Sequence, residues 1–141
     1  MEEKPSYYYK QSAVIPFRRN GDDLQILMIT SRKKKRWIIP KGIVEPHLSA
    51  PDSAAKEALE EGGIKGNTHP KAIGNYSYVK WGGICKAEVY VMEVTQVLEQ
   101  WEEDFRDRIW LGLPQAIERI REEELKEICD KLPKFLQEHG I

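Results

Sequence analysis

Three glutamates crowd one short stretch of the chain, Lys56-Glu57-Ala58-Leu59-Glu60-Glu61. If that stretch is helical, at about 100° per residue, Glu57, Glu60 and Glu61 share an arc of roughly 100° on one face. Carboxylates so placed repel one another, and a position near a helix C-terminus adds an unfavourable dipole. Stability alone would not select that arrangement. A divalent cation resolves it, because Mg²⁺ and Mn²⁺ take oxygen ligands and accept bridging phosphates. The plainer alternative is a solvated face, since glutamate is a good helix former.

The elements around the cluster decide between these readings. A helix is predicted over Ala50 to Glu61: Ser49 with Asp52 makes a capping box, Pro51 fits the first turn, and Gly62-Gly63 supplies the stop. Ala55, Ala58 and Leu59 lie on another arc and are expected to pack against a sheet. Apolar strands are predicted over 11–18 and 24–30, joined through Asn20-Gly21-Asp22, then a short strand Trp37-Ile38-Ile39 closed by Pro40-Lys41-Gly42. Two longer strands, 70–81 and 84–95, meet at Trp81-Gly82-Gly83, and a short one follows at Arg108-Ile109-Trp110. Beyond it the period turns helical over 113–141, with Pro133 expected to kink or divide the region. Residues 1–9, ending in Tyr7-Tyr8-Tyr9, are a strand or a loosely held arm. The order implies an α/β (α+β) fold with a mixed sheet and C-terminal helices.

Composition narrows the function classes. The chain has 141 residues, with 22 Lys and Arg against 23 Asp and Glu. A formal net charge of -1 gives no basic excess for nucleic acid or a membrane surface, so neither is an expected partner. No apolar run approaches the roughly 20 residues of a spanning helix, and the acidic N-terminus lacks a signal-peptide core. Cys85 and Cys129 show no metal-ligand spacing. These features predict a single cytoplasmic domain, residues 1–141, with the C-terminal helices as a candidate homodimer surface.

A longer pattern embeds the glutamates. From Gly42 through Leu48 to Lys56-Glu57-Ala58-Leu59-Glu60-Glu61-Gly62-Gly63-Ile64, the chain resembles the Nudix box of the Nudix hydrolases. That pattern runs glycine, five residues, glutamate, seven residues, then Arg-Glu-aliphatic-any-Glu-Glu-any-Gly-aliphatic. Gly42, Glu57, Glu60, Glu61, Gly63 and Ile64 stand at the required spacing. Outside the box, 37–42, 90–94 and 101–102 resemble the diphosphoinositol-polyphosphate and dinucleoside-polyphosphate branch, so the likeness spans about residues 10 to 120. Two positions depart: Leu48 replaces the first glutamate and Lys56 the arginine. In the family these two typically pair with each other to support the loop, and their joint replacement strands no buried charge.

The resemblance implies a Nudix α/β/α sandwich and Mg²⁺-dependent (or Mn²⁺-dependent) hydrolysis of a phosphoanhydride bond. The substrate would be a phosphorylated small molecule, a nucleoside diphosphate linked to another group, such as a dinucleoside polyphosphate or a diphosphoinositol polyphosphate. Glu57, Glu61 and the Gly42 carbonyl are the implied metal ligands. Glu60 is the implied general base, although family members differ in that assignment. Glu102 or Glu103 could join from a later loop, or form a solvated turn. Lys41 and Arg32 are candidate phosphate contacts; Lys33 to Arg36 is either a further contact or a solvated loop. Lys10 and Lys86 match basic positions of the inositol-phosphate branch, while Ser12, Gly83 and Cys85 stand where that branch is basic, which weakens that substrate. Trp37 and Tyr90 could stack on a base or belong to the core. The competing reading is a catalytically weak Nudix-fold module that binds a nucleotide or serves regulation.

Overall fold

The computed structural model describes residues 3–141, and Met1 and Glu2, part of the expected arm, lie outside them. A mixed sheet of eight strands forms the middle layer. Its continuous path runs β3 (Trp37–Ile38), β2 (Asp23–Thr30), β1 (Lys10–Asn20), β7 (Gly83–Val97), β5 (Ile64–Thr68). Beside this path β4 (Lys41–Ile43) pairs with β1, β6 (Gly74–Lys80) with β7, and β8 (Arg108–Gly112) with β2. Among the described strands β1 and β7 are parallel, and the other pairs are antiparallel.

Alternation along the central strands sends neighbouring apolar residues to opposite faces. Ile15, Phe17, Ile26, Met28, Val89 and Val91 meet three helices, α2 (Leu113–Arg119), α3 (Glu123–Asp130) and α4 (Leu132–Glu138). Val14, Leu27, Ile29, Tyr90 and Met92 meet α1 (Ala50–Gly62). Burial on both faces explains why these strands are nearly unbroken apolar runs. Pro133 lies in the first turn of α4, where its missing N–H is tolerated, and so divides the terminal helices.

Several expectations change. Lys41 and Gly42 do not merely close β3; with Ile43 they form β4, in register with β1 through Ser12↔Gly42 and Ala13↔Lys41. The strand β5 went unpredicted because its sequence, Ile-Lys-Gly-Asn-Thr, has one buried residue and no apolar alternation. On α1 the face against the sheet is Ser53, Ala54, Ala58 and Gly62, whereas Leu59 is 37% exposed. Small residues there let the helix axis lie close to the sheet. The aromatic arm is a 3₁₀ turn, Ser6–Tyr9, leading directly into β1.

Candidate active site

Backbone pairing sets the floor of the site. The β1–β4 register places Gly42 beneath α1, and Ser12 Oγ donates to the Ala50 carbonyl at 2.8 Å, tying strand to helix start. Ser49 Oγ accepts from the Asp52 amide, and Gly63 ends the helix with φ 63°. The C-terminal carbonyls are satisfied from a later loop. Trp101 Nε1 donates to Glu61 O at 3.0 Å and Arg108 Nη1 to Gly62 O at 3.1 Å, with the guanidinium stacked 3.8 Å from the Trp101 ring. A cation thus sits at the negative end of the helix that carries the glutamates.

Glu57 and Glu61 point inward. The carboxylate of Glu57 packs so closely on Gly42 that any Cβ there would strike it. Glu61 accepts from the Lys41 amide at 3.1 Å, which fixes its orientation. Burial, reinforced by the charges of Glu61 and Glu60, pushes Glu57 up to about 8. Burial likewise lifts Glu61 to about 7, opposed by the Lys41 amide. Two adjacent buried carboxyl groups whose ionisation is disfavoured are a natural seat for a hard divalent cation, and Gly42 lies against Glu57.

A second acidic tier adjoins this pair. Carboxylate oxygens of Glu60, Glu102 and Glu103 lie within 4.8 Å of one another. Glu103 is not a solvated turn: its side chain is 16% exposed and held by Arg106 at 2.8 Å, and its amide donates to Glu60 O at 3.0 Å. Arg106 is itself buried and donates to the Thr30 carbonyl. Glu102 is exposed.

The altered loop–helix pair proves to be relocated. Lys56 Nζ is 2.8 Å from both Glu45 and Glu60, and these hydrogen bonds hold its ammonium well above the ordinary lysine range. Glu45, three residues before Leu48, therefore takes up the role of charge partner, while Leu48 lines an apolar hollow with Leu59 and Met92.

Glu45, Lys56, Glu57, Glu60, Glu61 and Glu103 line one cleft of about 630 Å³, which also receives Arg32, Lys41, Lys80, Tyr7, Tyr8 and Trp81. Arg32 reaches Glu103 at 3.4 Å. Lys41 stacks 3.9 Å from the Tyr78 ring, and burial, reinforced by Lys80, lowers it to about 8. Lys10 and Lys86 are not brought in. They are register partners on the β1–β7 pair and do not line the cleft. Trp37 and Tyr90 are also away from the cleft: both pack in the apolar clusters, Tyr90 with its hydroxyl on Glu88. Lys33, Lys35 and Arg36 line a separate hollow, and Arg36 also pairs with Glu122.

The residues missed in the sequence are Tyr7, Tyr8, Lys80 and Trp81. One signal was present. A tryptophan in a two-residue hairpin loop breaks the turn rule that calls for asparagine before glycine, and such violations concentrate at functional sites.

A pH dependence follows from the buried pair. In metal-free protein both carboxyl groups hold protons more tightly folded than unfolded, so their contribution is fully present below the ordinary carboxylate value of 4.5. It is lost as pH rises through about 7 to 8. Mg²⁺ bound at the pair would select its ionised form and restore that loss. Thermal melts should show a larger Mg²⁺-induced rise in Tm above this window than below it; an equal rise on both sides would place the cation elsewhere.

Comparison with known proteins agrees with this geometry. A family model described as the NUDIX domain matches residues 9–138. Diphosphoinositol polyphosphate phosphohydrolase 3-beta of Bos taurus is 33% identical over 120 residues, covering 83% of this chain and 72% of that protein. Nudix hydrolase 13, mitochondrial, of Arabidopsis thaliana is 30% identical over 128 residues, covering 83% of this chain and 63% of its own length. In three dimensions the chain superposes on the crystal structure of C. elegans Ap4A hydrolase with a TM-score of 0.74 at 19% identity, covering 90% of this chain and 97% of that one.

Proposed function

The chain belongs to the Nudix family, and from that premise we propose that it hydrolyses a phosphoanhydride bond in a nucleoside diphosphate linked to another group, with Mg²⁺ or Mn²⁺ as cofactor. The observation that carries this reading is the buried Glu57–Glu61 pair seated against Gly42. Those two side chains and the Gly42 carbonyl would hold the cation, with Glu60 and Glu103 beside them. Bound there, the cation neutralises pyrophosphate charge and lowers the pKa of a bound water.

The chain's own residues supply the rest. We assign Glu60 as the base that takes the water's proton, since it borders both the buried pair and Glu103. Lys56 orients Glu60 and binds it to the loop through Glu45. Lys41 and Arg32, both on the cleft wall, would receive phosphate oxygens. Lys41 lies over an aromatic ring and can leave that ring for an incoming anion.

Leu48 at the first glutamate position would favour a binding module without turnover if the loop had lost its charge tie. Glu45 retains that tie, which supports the enzyme. The relatives' names include a diphosphoinositol polyphosphate phosphohydrolase and an Ap4A hydrolase. The absence of Lys10 and Lys86 from the cleft wall favours the dinucleoside polyphosphate of these two substrates.

The test is phosphate release from dinucleoside polyphosphates, nucleoside diphosphate sugars, nucleoside triphosphates and diphosphoinositol polyphosphates, each with and without Mg²⁺. Mg²⁺-dependent cleavage of a nucleoside diphosphate derivative is expected. Tight nucleotide binding with no cleavage of any of them would replace the enzyme with the binding module.

A further inference from the structure

Glu60 and Glu61 lie in the last turn of α1, where backbone carbonyls have no partner within the helix. Anions there face the negative end of the helix dipole, and the three glutamates repel one another as well. That turn is therefore the part of the helix most prone to fray. Water commonly satisfies such carbonyls. Here a single distant segment does so instead.

Residues 98–108 donate to every carbonyl from Glu60 to Gly63. The Glu103 amide donates to Glu60 O at 3.0 Å, and Trp101 Nε1 to Glu61 O at 3.0 Å. Arg108 Nη1 donates to Gly62 O at 3.1 Å, and the Leu98 amide to Gly63 O at 2.8 Å. Two of these carbonyls belong to residues whose side chains form the acidic site, and the segment that grips them also delivers Glu103. Its far end is fastened to the sheet. The Asp107 amide donates to Thr30 Oγ1 at 2.9 Å, and Arg106 Nη1 to Thr30 O at 2.9 Å.

Trp101 is the side chain on which this grip depends. It lies outside both apolar clusters, so core packing does not account for it. The Arg108 guanidinium stacks 3.8 Å from its ring, and a Cβ added at Gly63 would lie 2.6 Å from its Cγ. An indole wedged in this way has one place for its N–H, which can only donate. Of the two bonds to backbone carbonyls of the site, this is the one made by a side chain, and so the one that a substitution removes. Trp101 does not line the cleft, so any effect on a reaction there must pass through the carboxylates.

We infer that Trp101 is a positioning residue: its indole N–H, braced by Arg108 and Gly63, holds Glu60, Glu61 and Glu103 in one working arrangement. The inference rests on the proposed hydrolase reading for its kinetic test and on metal binding alone for its second.

Trp101→Phe keeps a ring beside Arg108 and removes the donor. Trp110→Phe is the matched control, because Trp110 also carries an arginine over its ring, Arg18 at 4.1 Å, but packs against the apolar cluster that α1 covers. With a dinucleoside polyphosphate, Trp101→Phe should lower kcat on the order of tenfold, the upper scale of one hydrogen bond. KM should stay within about twofold, since the missing bond does not touch the ligand. Trp110→Phe should lower Tm and keep kcat. A kcat for Trp101→Phe within about twofold of wild type, an equal loss in Trp110→Phe, or a loss carried by KM overturns the inference. Should Trp101→Phe fail to fold, Arg108→Lys takes its place with the same readouts, keeping the charge and losing the planar stack.

Calorimetric titration of Mn²⁺ into substrate-free protein gives the second test. Groups that orient metal ligands commonly govern affinity, so Trp101→Phe should bind Mn²⁺ on the order of tenfold more weakly than wild type. Trp110→Phe should bind it as wild type does. Unchanged affinity in Trp101→Phe, or equal weakening in both variants, overturns the inference. If wild-type protein cleaves no phosphoanhydride yet Mn²⁺ affinity falls in Trp101→Phe alone, the hydrolase reading fails while the positioning role stands.

Discussion

Glu57→Gln and Glu61→Gln are each expected to lower kcat by about 10³-fold or more, the scale on which groups that organise charge at a reacting centre act. The amide keeps the shape of the side chain and removes its charge. In the metal-free protein that charge is a burden, because both carboxyl groups are buried and nearby carboxylates, Glu61 for Glu57 and Glu103 for Glu61, add to the cost of ionising them. The variants should therefore melt at or above the wild-type temperature in metal-free buffer above the window of about 7 to 8. The rise in Tm on adding Mg²⁺ should shrink in both. Loss of turnover with unchanged or raised metal-free stability separates a ligand from a structural residue. Turnover within tenfold of wild type in both variants would remove the pair from the chemistry.

Gly42→Ala carries the second large effect, and for a different reason. The added methyl would occupy space taken by the Glu57 carboxylate. That carboxylate is the far end of a flexible chain, so it can swing aside with little damage to the fold, but then it no longer faces Glu61. A loss of kcat of at least about 10²-fold is expected, since small misplacements of reacting groups are that costly. Gly21→Ala is the matched control. Gly21 has φ 64° in the β1–β2 turn with nothing within 4 Å of an added Cβ. Alanine there should cost about 1 kcal/mol of stability through backbone strain and leave kcat alone. If the two variants lost activity equally, general destabilisation would explain both.

The relocated ion pair shows how a local departure from a motif can be neutral in three dimensions. In sequence, Leu48 and Lys56 look like the loss of both ends of one pair. In the fold, the box loop turns back at Glu45, whose carbonyl accepts from the Leu48 amide at 3.0 Å and whose carboxylate reaches Lys56 at 2.8 Å. The distance along the chain changed, and the electrostatic tie did not. Glu103 is a similar case. Its place in an acidic turn suggested solvent, but the buried Arg106 guanidinium draws it inward against Glu60.

Local chemistry was legible without coordinates wherever neighbours in sequence are also neighbours in space. The spacing of Glu57, Glu60 and Glu61 follows from helical pitch, the helix ends from Ser49, Pro51 and Gly63, and the β1–β2 turn from Gly21. Doubly buried strands announced themselves as apolar runs, and with them the sandwich. What the coordinates alone decided are the meetings between distant segments: Glu45 with Lys56, Glu103 with Glu60, Tyr8 with Trp81, and a cleft lining that leaves out Lys10 and Lys86. A strand's register and the side on which it leaves the sheet fix those contacts. One residue of slip reverses every side chain, and pairing over long separations is settled by the whole packed sheet rather than by any short stretch.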